Sequence, residues 1–588
     1  MKVIINYIND ILFIIGDSKG KIIPMVFFFL LVSFLDLVGI GFIGAFVSLI
    51  SNSQTGDIHQ QIFEIFNISI SKEKLPIYLG LLIFVVFLLK TVAIIISNKK
   101  IIDFTQEQMV LIVSQMMKSY QKMPYIEFLN RSTSEIIHNI QQVPGMFTGT
   151  ILNSLLRGIS DGIVAIGIVV YLAWTDFYIL LILASSLYIV VWIYDVLYRD
   201  KINQYGSIAN KAVSNGNRGV IEGVGGLKEI RILGKESFFY KIVHDSAKEH
   251  AKARGRYMLL QVVPRYLIEM TVIGVIVLII VFYLYKGQDV VLLAPILAVF
   301  GVAAIRLIPV VNSLVSSVMN LIYGQDTVNR LRREIIKSNN IKVNTDNSLK
   351  QDIEKASFSS LELVNVSFKY PNSKNNTIEG INLKIEAGSL TGIIGETGSG
   401  KSTLVDLILG LIHPKSGDIY YNNIKVGADN GLKSKVAYIP QDIFIIDDTL
   451  SNNVTLEFDE RKVSDDMLSN ALTKSQLIDT IRTIPNGINE KLGDKGVALS
   501  GGQRQRVALA RALYHDREIL VMDEVTSALD AETESEVIKE IDMLKGKKTI
   551  IIIAHKLNTL EGCDRIIKLK DGKIILSGSY KEVILNNL

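Results

Sequence analysis

Between Thr391 and Gly410 the chain reads TGIIGETGSGKSTLVDLILG, a strand-like apolar run that feeds a glycine-rich loop and then a helix. Gly395, Gly400, Lys401 and Ser402 fill the spacing G-x-x-x-x-G-K-[ST] in that context. The chemistry is phosphate binding. Across Gly395, Glu396, Thr397, Gly398, Ser399, Gly400 and on to Thr403, backbone N–H groups wrap an anion where a helix begins; Lys401 reaches its outer phosphates and the Ser402 hydroxyl holds Mg²⁺. Further on, ILVMDE (519–524) is an apolar strand ending in Asp523 and Glu524. One carboxylate there suits the Mg²⁺ shell and the next suits polarising an attacking water. In LSGGQRQRVALARAL (499–513), Ser500, Gly501, Gly502 and Gln503 form a small-residue turn opening a basic amphipathic helix, a second N-terminus fit for a phosphate.

These segments, in this order, resemble the ATP-binding-cassette (ABC) proteins across about 228 residues. The resemblance implies ATP and Mg²⁺ as cofactors. It implies that Tyr370 in SFKYP stacks on adenine, that Gln441 in YIPQD contacts Mg²⁺ and the water, and that Glu524 is the catalytic base. SALD (527–530) becomes the loop that communicates between cassettes, and His555 in IIAHKL the switch histidine at the γ-phosphate. In that family Ser500 and Gly502 meet the ATP of a second cassette, so a chain with one cassette is expected to work as a homodimer. The one departure is GDKG (493–496), where relatives carry Glu and Asp494 has a shorter reach.

The elements around this set differ in kind. Of 588 residues 49% are hydrophobic and 20% charged, with mean hydropathy +0.34, so the chain holds a membrane part. Net charge is +4, which gives no basic field for nucleic acid. A single cysteine, Cys563, excludes an internal disulfide framework. Six apolar runs, at 22–50, 75–97, 146–172, 177–198, 262–285 and 290–323, reach the ~20 residues of a crossing. Lys and Arg number 5 in 99–145 and 12 in 198–262, against only Lys72, Lys74 and Lys286 in the other connections. By the positive-inside tendency both long basic loops and both termini are cytoplasmic. Helical periodicity runs on into those loops (Met109, Ile112, Met116, Met117, Tyr120), so the spanning helices are expected to extend into the cytoplasm. The first run lacks a cleavage pattern and suits a spanning helix. Asn, Lys, Ser and Asp fill 337–360, a linker composition.

The expected fold class is thus a polytopic α-helical membrane domain of six transmembrane helices followed by an α/β P-loop nucleotide-binding domain. Its divisions are 1–325 for the membrane domain, 326–360 for the linker and 361–588 for the cassette. This arrangement looks like an ABC exporter half-transporter in the bacterial inner membrane. The resemblance places coupling helices at 123–137 and 222–239, with Tyr125, Phe128, Leu227, Ile230 and Leu233 docking into cassette grooves.

Ionisable groups inside membrane runs point to substrate. Lys90, Arg265 and Arg306 lie roughly 22–30 Å from the predicted outer ends at ~1.5 Å per residue, near the cytoplasmic leaflet. In a dimer they make a cationic ring for a pyrophosphate; alternatively they snorkel, or Asp36, Asp161 and Glu269 neutralise them. DIHQQIFEIFNISI (57–70) offers an apolar face to a membrane surface or a lipid tail, or is a simple loop helix. Together with GLKEIRILGKESFF, these features resemble bacterial flippases for lipid-linked oligosaccharides of protein N-glycosylation. That resemblance implies ATP-driven flipping of a polyprenyl-diphosphate-linked glycan to the outer leaflet. An exporter of peptides or hydrophobic drugs, and an ATP-gated channel or regulatory membrane protein, are the alternatives.

Overall fold

Apolar runs longer than a bilayer is thick fold as unusually long helices. The computed structural model describes residues 2–50, 75–285, 294–340, 353, 356–371, 373–427, 432–457, 459–525, 531–554 and 556–587. It contains α1 (Lys2–Ile15), α2 (Ile22–Ile50), α3 (Leu75–Lys122), α4 (Tyr125–Leu129) and α5 (Asn153–Thr175). After these come α6 (Phe177–Gly225), α7 (Leu227–Leu233), α8 (Glu236–Tyr285), α9 (Ala294–Tyr323) and α10 (Gln325–Asn340). Helices α3, α6 and α8 have 48, 49 and 50 residues. At ~1.5 Å per residue each is about 70–75 Å long, against ~30 Å of hydrocarbon, so more than half of each lies outside it. Among the described residues, five helices are long and apolar enough to cross a membrane, or six if Leu307–Tyr323 and Gln325–Lys337, bent by 51°, are one span.

Local chemistry sets the breaks. Asp176 alone separates α5 from α6, and its carboxylate accepts from Tyr178 N (2.9 Å) and Ile179 N (3.0 Å), capping the new helix. Residues 133–152 lead into α5 through two π-helical turns, His138–Gln142 and Phe147–Leu152. Gly324 forms the joint between α9 and α10, where a Cβ would meet Ile151 Cγ1 at 2.4 Å.

The chain divides into two units: Met1–Met123 with Asn130–Ile341, and Pro124–Leu129 with Lys342–Leu588. In the first unit, Val32, Ile40, Val164, Ile168, Leu183, Ile268 and Leu307 interlock α2, α5, α6, α8 and α9. Residues 326–340, expected as linker, are instead helical: Val328, Leu331 and Ile335 recur every three or four residues and are buried against Phe29, Met116 and Phe147. In the second unit, Tyr125 and Ile126 of α4 pack against the core, whereas Phe128 stays 44% exposed. Of the other expected docking residues, Ile230 is buried while Leu227 and Leu233 are exposed. The segment 57–70 lies outside the described residues.

The second unit is built on two sheets. Strands β1 (Ser360–Phe368), β2 (Ile378–Glu386), β4 (Ser416–Tyr421) and β5 (Ile424–Lys425) form an antiparallel sheet ordered β2-β1-β4-β5. The other sheet is ordered β10-β9-β3-β8-β7-β6, from β3 (Leu390–Gly395), β6 (Val436–Ile439), β7 (Ile519–Asp523), β8 (Thr549–Ile553), β9 (Arg565–Lys570) and β10 (Lys573–Gly578). Strands β9, β3, β8, β7 and β6 run parallel, and β7 and β8 read as near-continuous buried apolar runs, as a sheet covered on both faces requires.

Helix α6 approaches α9 so closely at Gly206 that an added Cβ would sit 2.1 Å from the Tyr323 carbonyl oxygen. Gly206→Ala should destabilise the first unit by about 1–3 kcal/mol through overpacking. Gly255→Ala, where nothing lies within 4 Å, should not. Melting midpoints of the two variants in detergent check this, and equal midpoints would contradict it.

Candidate nucleotide site and membrane cavities

Strand β3 lies between β8 and β9 and delivers its loop at the carboxyl edge of the parallel strands, the usual ligand edge of such a sheet. Gly398 (φ +84°) and Gly400 (φ +100°) take left-handed backbone before α11 (Lys401–Ile408) begins. A Cβ on Gly395 would lie 2.4 Å from Leu569 O, and one on Gly400 2.8 Å from Thr377 O. Only bare backbone fits at those positions. The Lys401 ammonium is folded over the loop, donating to Gly395 O (2.7 Å) and Glu396 O (3.0 Å). Ser399 Oγ is buried there without a partner. A phosphate would give the Ser399 hydroxyl its acceptor and Lys401 a stronger, charged one. Tyr370 stands beside the loop, its hydroxyl 3.4 Å from Thr403 Oγ1.

Asp523 ends β7, two strands from the loop, and accepts from the Tyr438 hydroxyl at 3.1 Å. Glu524 follows with φ +51°, a left-handed conformation that costs energy in a non-glycine residue and here turns its carboxylate out of the strand line. Gln441 Nε2 donates to Glu524 Oε2 at 2.8 Å, bringing together two predicted site residues 83 positions apart. Burial and the negative charge of Asp523 push the Asp406 carboxyl up to about 6. The same two causes hold the Tyr438 phenol above its ordinary value. Asp406, Asp523 and Glu524 thus concentrate negative charge beside the loop. Among the described residues no three His, Cys, Asp or Glu side chains converge as a protein-only metal cage. Mg²⁺ takes one or two carboxylates and completes its shell with phosphates and water. Ser402, Asp523 and Gln441 fit that role.

Ser500 caps α12 (Gly501–Tyr514): its Oγ accepts from Gln503 N (3.2 Å), and its own N–H donates to Gln503 Oε1 (2.8 Å). Gly501 and Gly502 leave the first turn without side chains. His555 and 527–530 lie outside the described residues.

The three membrane cations are not brought together among the described residues. Lys90, 5% exposed, pairs with Asp36, the neutralisation that intramembrane charge demands. Arg265 and Glu269 are exposed on α8, and the side chain of Arg306 lies outside the described residues. Lys90 and Asp36 border a cavity of about 380 Å³ whose wall also holds Arg157 and Asp161, and Asp161 accepts from Ser313. Arg157 escaped the sequence reading although it is the one basic residue in the run 146–172, with Asp161 one turn on. A second cavity of about 560 Å³ shares Arg157 and Ser313 with the first.

Comparison with known proteins adds to this. Residues 378–527 match the family profile described as ABC transporter. The chain is 36% identical over 225 residues to an ATP-dependent lipid A-core flippase of Cupriavidus pinatubonensis, covering 38% of each chain. It is 28% identical over 454 residues to the ATP-dependent lipid A-core flippase of Methylobacillus flagellatus, covering 77% of this chain and 75% of that one. The match therefore spans under two fifths of the first relative's length. A solved structure of a bacterial Atm1-family ABC exporter with ATP bound superposes with TM-score 0.77 at 19% identity, covering 97% of both chains. The fold is that of an ABC exporter, with apolar helices followed by an ABC nucleotide-binding domain.

Two outcomes follow from this geometry. Lys401→Ala should weaken MgATP binding at least tenfold, since a charge-assisted bond is worth ~1.5–3 kcal/mol; titration with a fluorescent ATP analogue reads it. Lys90→Met alone should destabilise by about 3–5 kcal/mol by leaving Asp36 buried and unpaired, and adding Asp36→Leu should recover most of that loss. Thermal melting of the single and double variants decides, and an undiminished loss in the double variant would refute the pairing argument.

Proposed function

We propose that the chain is an ATP-driven flippase of the bacterial cytoplasmic membrane. It works as a homodimer and carries a polyprenyl-diphosphate-linked oligosaccharide from the cytoplasmic to the outer leaflet. The observation that carries this reading is the combination, on one chain, of a nucleotide site with its catalytic pair in contact (Gln441 and Glu524) and an apolar bundle whose inner cavity is walled by Lys90 and Arg157. The names of the relatives support lipid as cargo, and supply the second reading, a lipid A-core glycolipid. Both cargoes join apolar chains to an anionic head.

In this reading Ser402 and Asp523 hold Mg²⁺, which neutralises phosphate charge when bound. Lys401 leaves its loop carbonyls for the phosphates, Tyr370 packs on the base, and Glu524 takes a proton from the attacking water while Gln441 orients it. His555 meets the γ-phosphate. Ser500, Gly502 and Gln503 of one protomer close on the nucleotide of its partner, so the sites need two copies. Lys90, Arg265 and Arg306, with Arg157, draw in the anionic head, and ATP-driven closure weakens that hold. The cycle does work only if the two cavity states differ in affinity for the head.

Proteoliposomes loaded with fluorescently labelled polyprenyl-diphosphate oligosaccharide test the proposal. MgATP should move the label to the face opposite the cassettes, and Glu524→Gln should slow both hydrolysis and movement by about 10²–10⁴-fold, the size of a general-base effect. Brisk hydrolysis with no movement of this lipid or of lipid A-core would return the substrate to peptides or drugs. A steady ion current during hydrolysis would favour the channel.

A further inference from the structure

The larger cavity of the first unit, about 560 Å³, falls in the ~300–1,000 Å³ range of small-molecule sites. It opens among the lead-in to α5 and helices α6, α8 and α9, at the end of the bundle that the loop charges assign to the cytoplasm. Its described wall holds two arginines, Arg157 and Arg254, and two histidines, His138 and His250, with no carboxylate. The nearest carboxylates, Asp326 and Asp161, stand behind the wall and are engaged by its Asn210 and Ser313.

The wall is also pre-ordered. The Tyr257 hydroxyl and Gln261 Nε2 (3.4 Å) both donate to Asn320 Oδ1, and Asn320 Nδ2 donates to Ser154 Oγ at 2.9 Å. The Tyr257 and Tyr323 rings stack with centroids 4.1 Å apart. Two polar atoms on this wall are left over. His138, 2% exposed, bonds through Nδ1 to Gln142 Oε1 at 2.9 Å. A carbonyl oxygen only accepts, so Nδ1 carries the proton and the neutral ring's Nε2 is an acceptor, and it has no partner. Asn153 spends its amide N–H on Gly149 O (3.4 Å), and its Oδ1 is likewise unmatched. Both orphans are acceptors. An ionised phosphate offers them nothing, whereas sugar hydroxyls and acetamido N–H groups are donors.

We propose that this cavity receives the sugars adjoining the diphosphate. This rests on the flippase reading above and deepens it. Arg157 and Ser313 stand in both cavity walls. The diphosphate sits on the Arg157 side, beside Lys90, and the first hydroxyl-rich rings extend past it towards His138, Asn153 and Gln261. The protein thereby selects glycan-bearing lipid over the bare lipid diphosphate.

The test uses the full chain in lipid nanodiscs and two probes, polyprenyl diphosphate and the same lipid carrying an N-acetylated disaccharide, with binding measured by native mass spectrometry. The wild type should bind the disaccharide lipid at least tenfold more tightly than the bare one. His138→Phe and Asn153→Leu should each lose that gain while still binding the bare lipid, which shows that they are folded, and His138→Gln, which keeps an acceptor, should restore part of it. Equal affinity of the wild type for both lipids would mean that the cavity holds water only, overturning this inference and leaving the flippase reading standing. Retention of the full gain in both apolar variants would overturn it too. Failure of the wild type to bind either lipid would remove the flippase reading and this inference with it.

Discussion

Hydrocarbon cannot hydrogen-bond, and the first unit is arranged around that fact. Helices satisfy their own backbone, so the bundle is made of little else, and its outer face is apolar: Phe27 and Phe84 are 65% and 66% exposed. Polar side chains turn inward and find partners there. Lys90 meets Asp36, Ser313 meets Asp161, and the Tyr7 hydroxyl donates to Leu321 O at 2.8 Å. The result is a bundle with apolar surface outside and, within its apolar core, cavities walled partly by polar side chains. A molecule with an anionic, hydroxylated head and apolar tails has the same polarity pattern, and can keep its tails in lipid while its head enters the bundle.

The second unit answers a different demand. Phosphates must approach backbone N–H groups closely, and glycine is the residue that permits it: a side chain at Gly395 or Gly400 would run into Leu569 or Thr377. Close packing from β9 and from the segment before β2 therefore shapes the loop as much as the loop's own sequence does. Burial first, and then the charge of Asp523, raise the Asp406 carboxyl, and Glu524 is held in a strained backbone conformation.

Legibility in the sequence followed the range of the interactions. The phosphate loop is a local pattern, and so is the capping box of Ser500 and Gln503, three residues apart. The 2.8 Å contact of Gln441 with Glu524 spans 83 positions and was reachable only through resemblance to a family. Composition misled at 326–340, where polar residues on the exposed face of α10 hid the buried stripe of Val328, Leu331 and Ile335. Arg157 is as legible in its apolar run as Lys90 is in its own, and only the cavity shows that the two share a wall. Helix faces settle which charges share a cavity, and no spacing rule read along the chain tells that Lys90 of α3 and Arg157 of α5 border one space while Arg265 stands exposed on α8.

The pairing of Lys90 with Asp36 bears on how the proposed flippase would let go of its cargo. An unpaired buried ammonium would grip a diphosphate tightly, and a tight grip in both cavity states drives nothing. With Asp36 already in place, an incoming anion competes for the cation, so part of its attraction is offset by the carboxylate it displaces or crowds. Asp161 lines the same wall as Arg157 and accepts from Ser313. Affinity is thereby held down where charge is strongest. Small helix movements that bring each carboxylate nearer to its own cation would then expel the head group, without any need to remove the cations from the cavity. A mixed wall of acids and bases is what such a cycle requires, and a purely cationic ring would serve it less well.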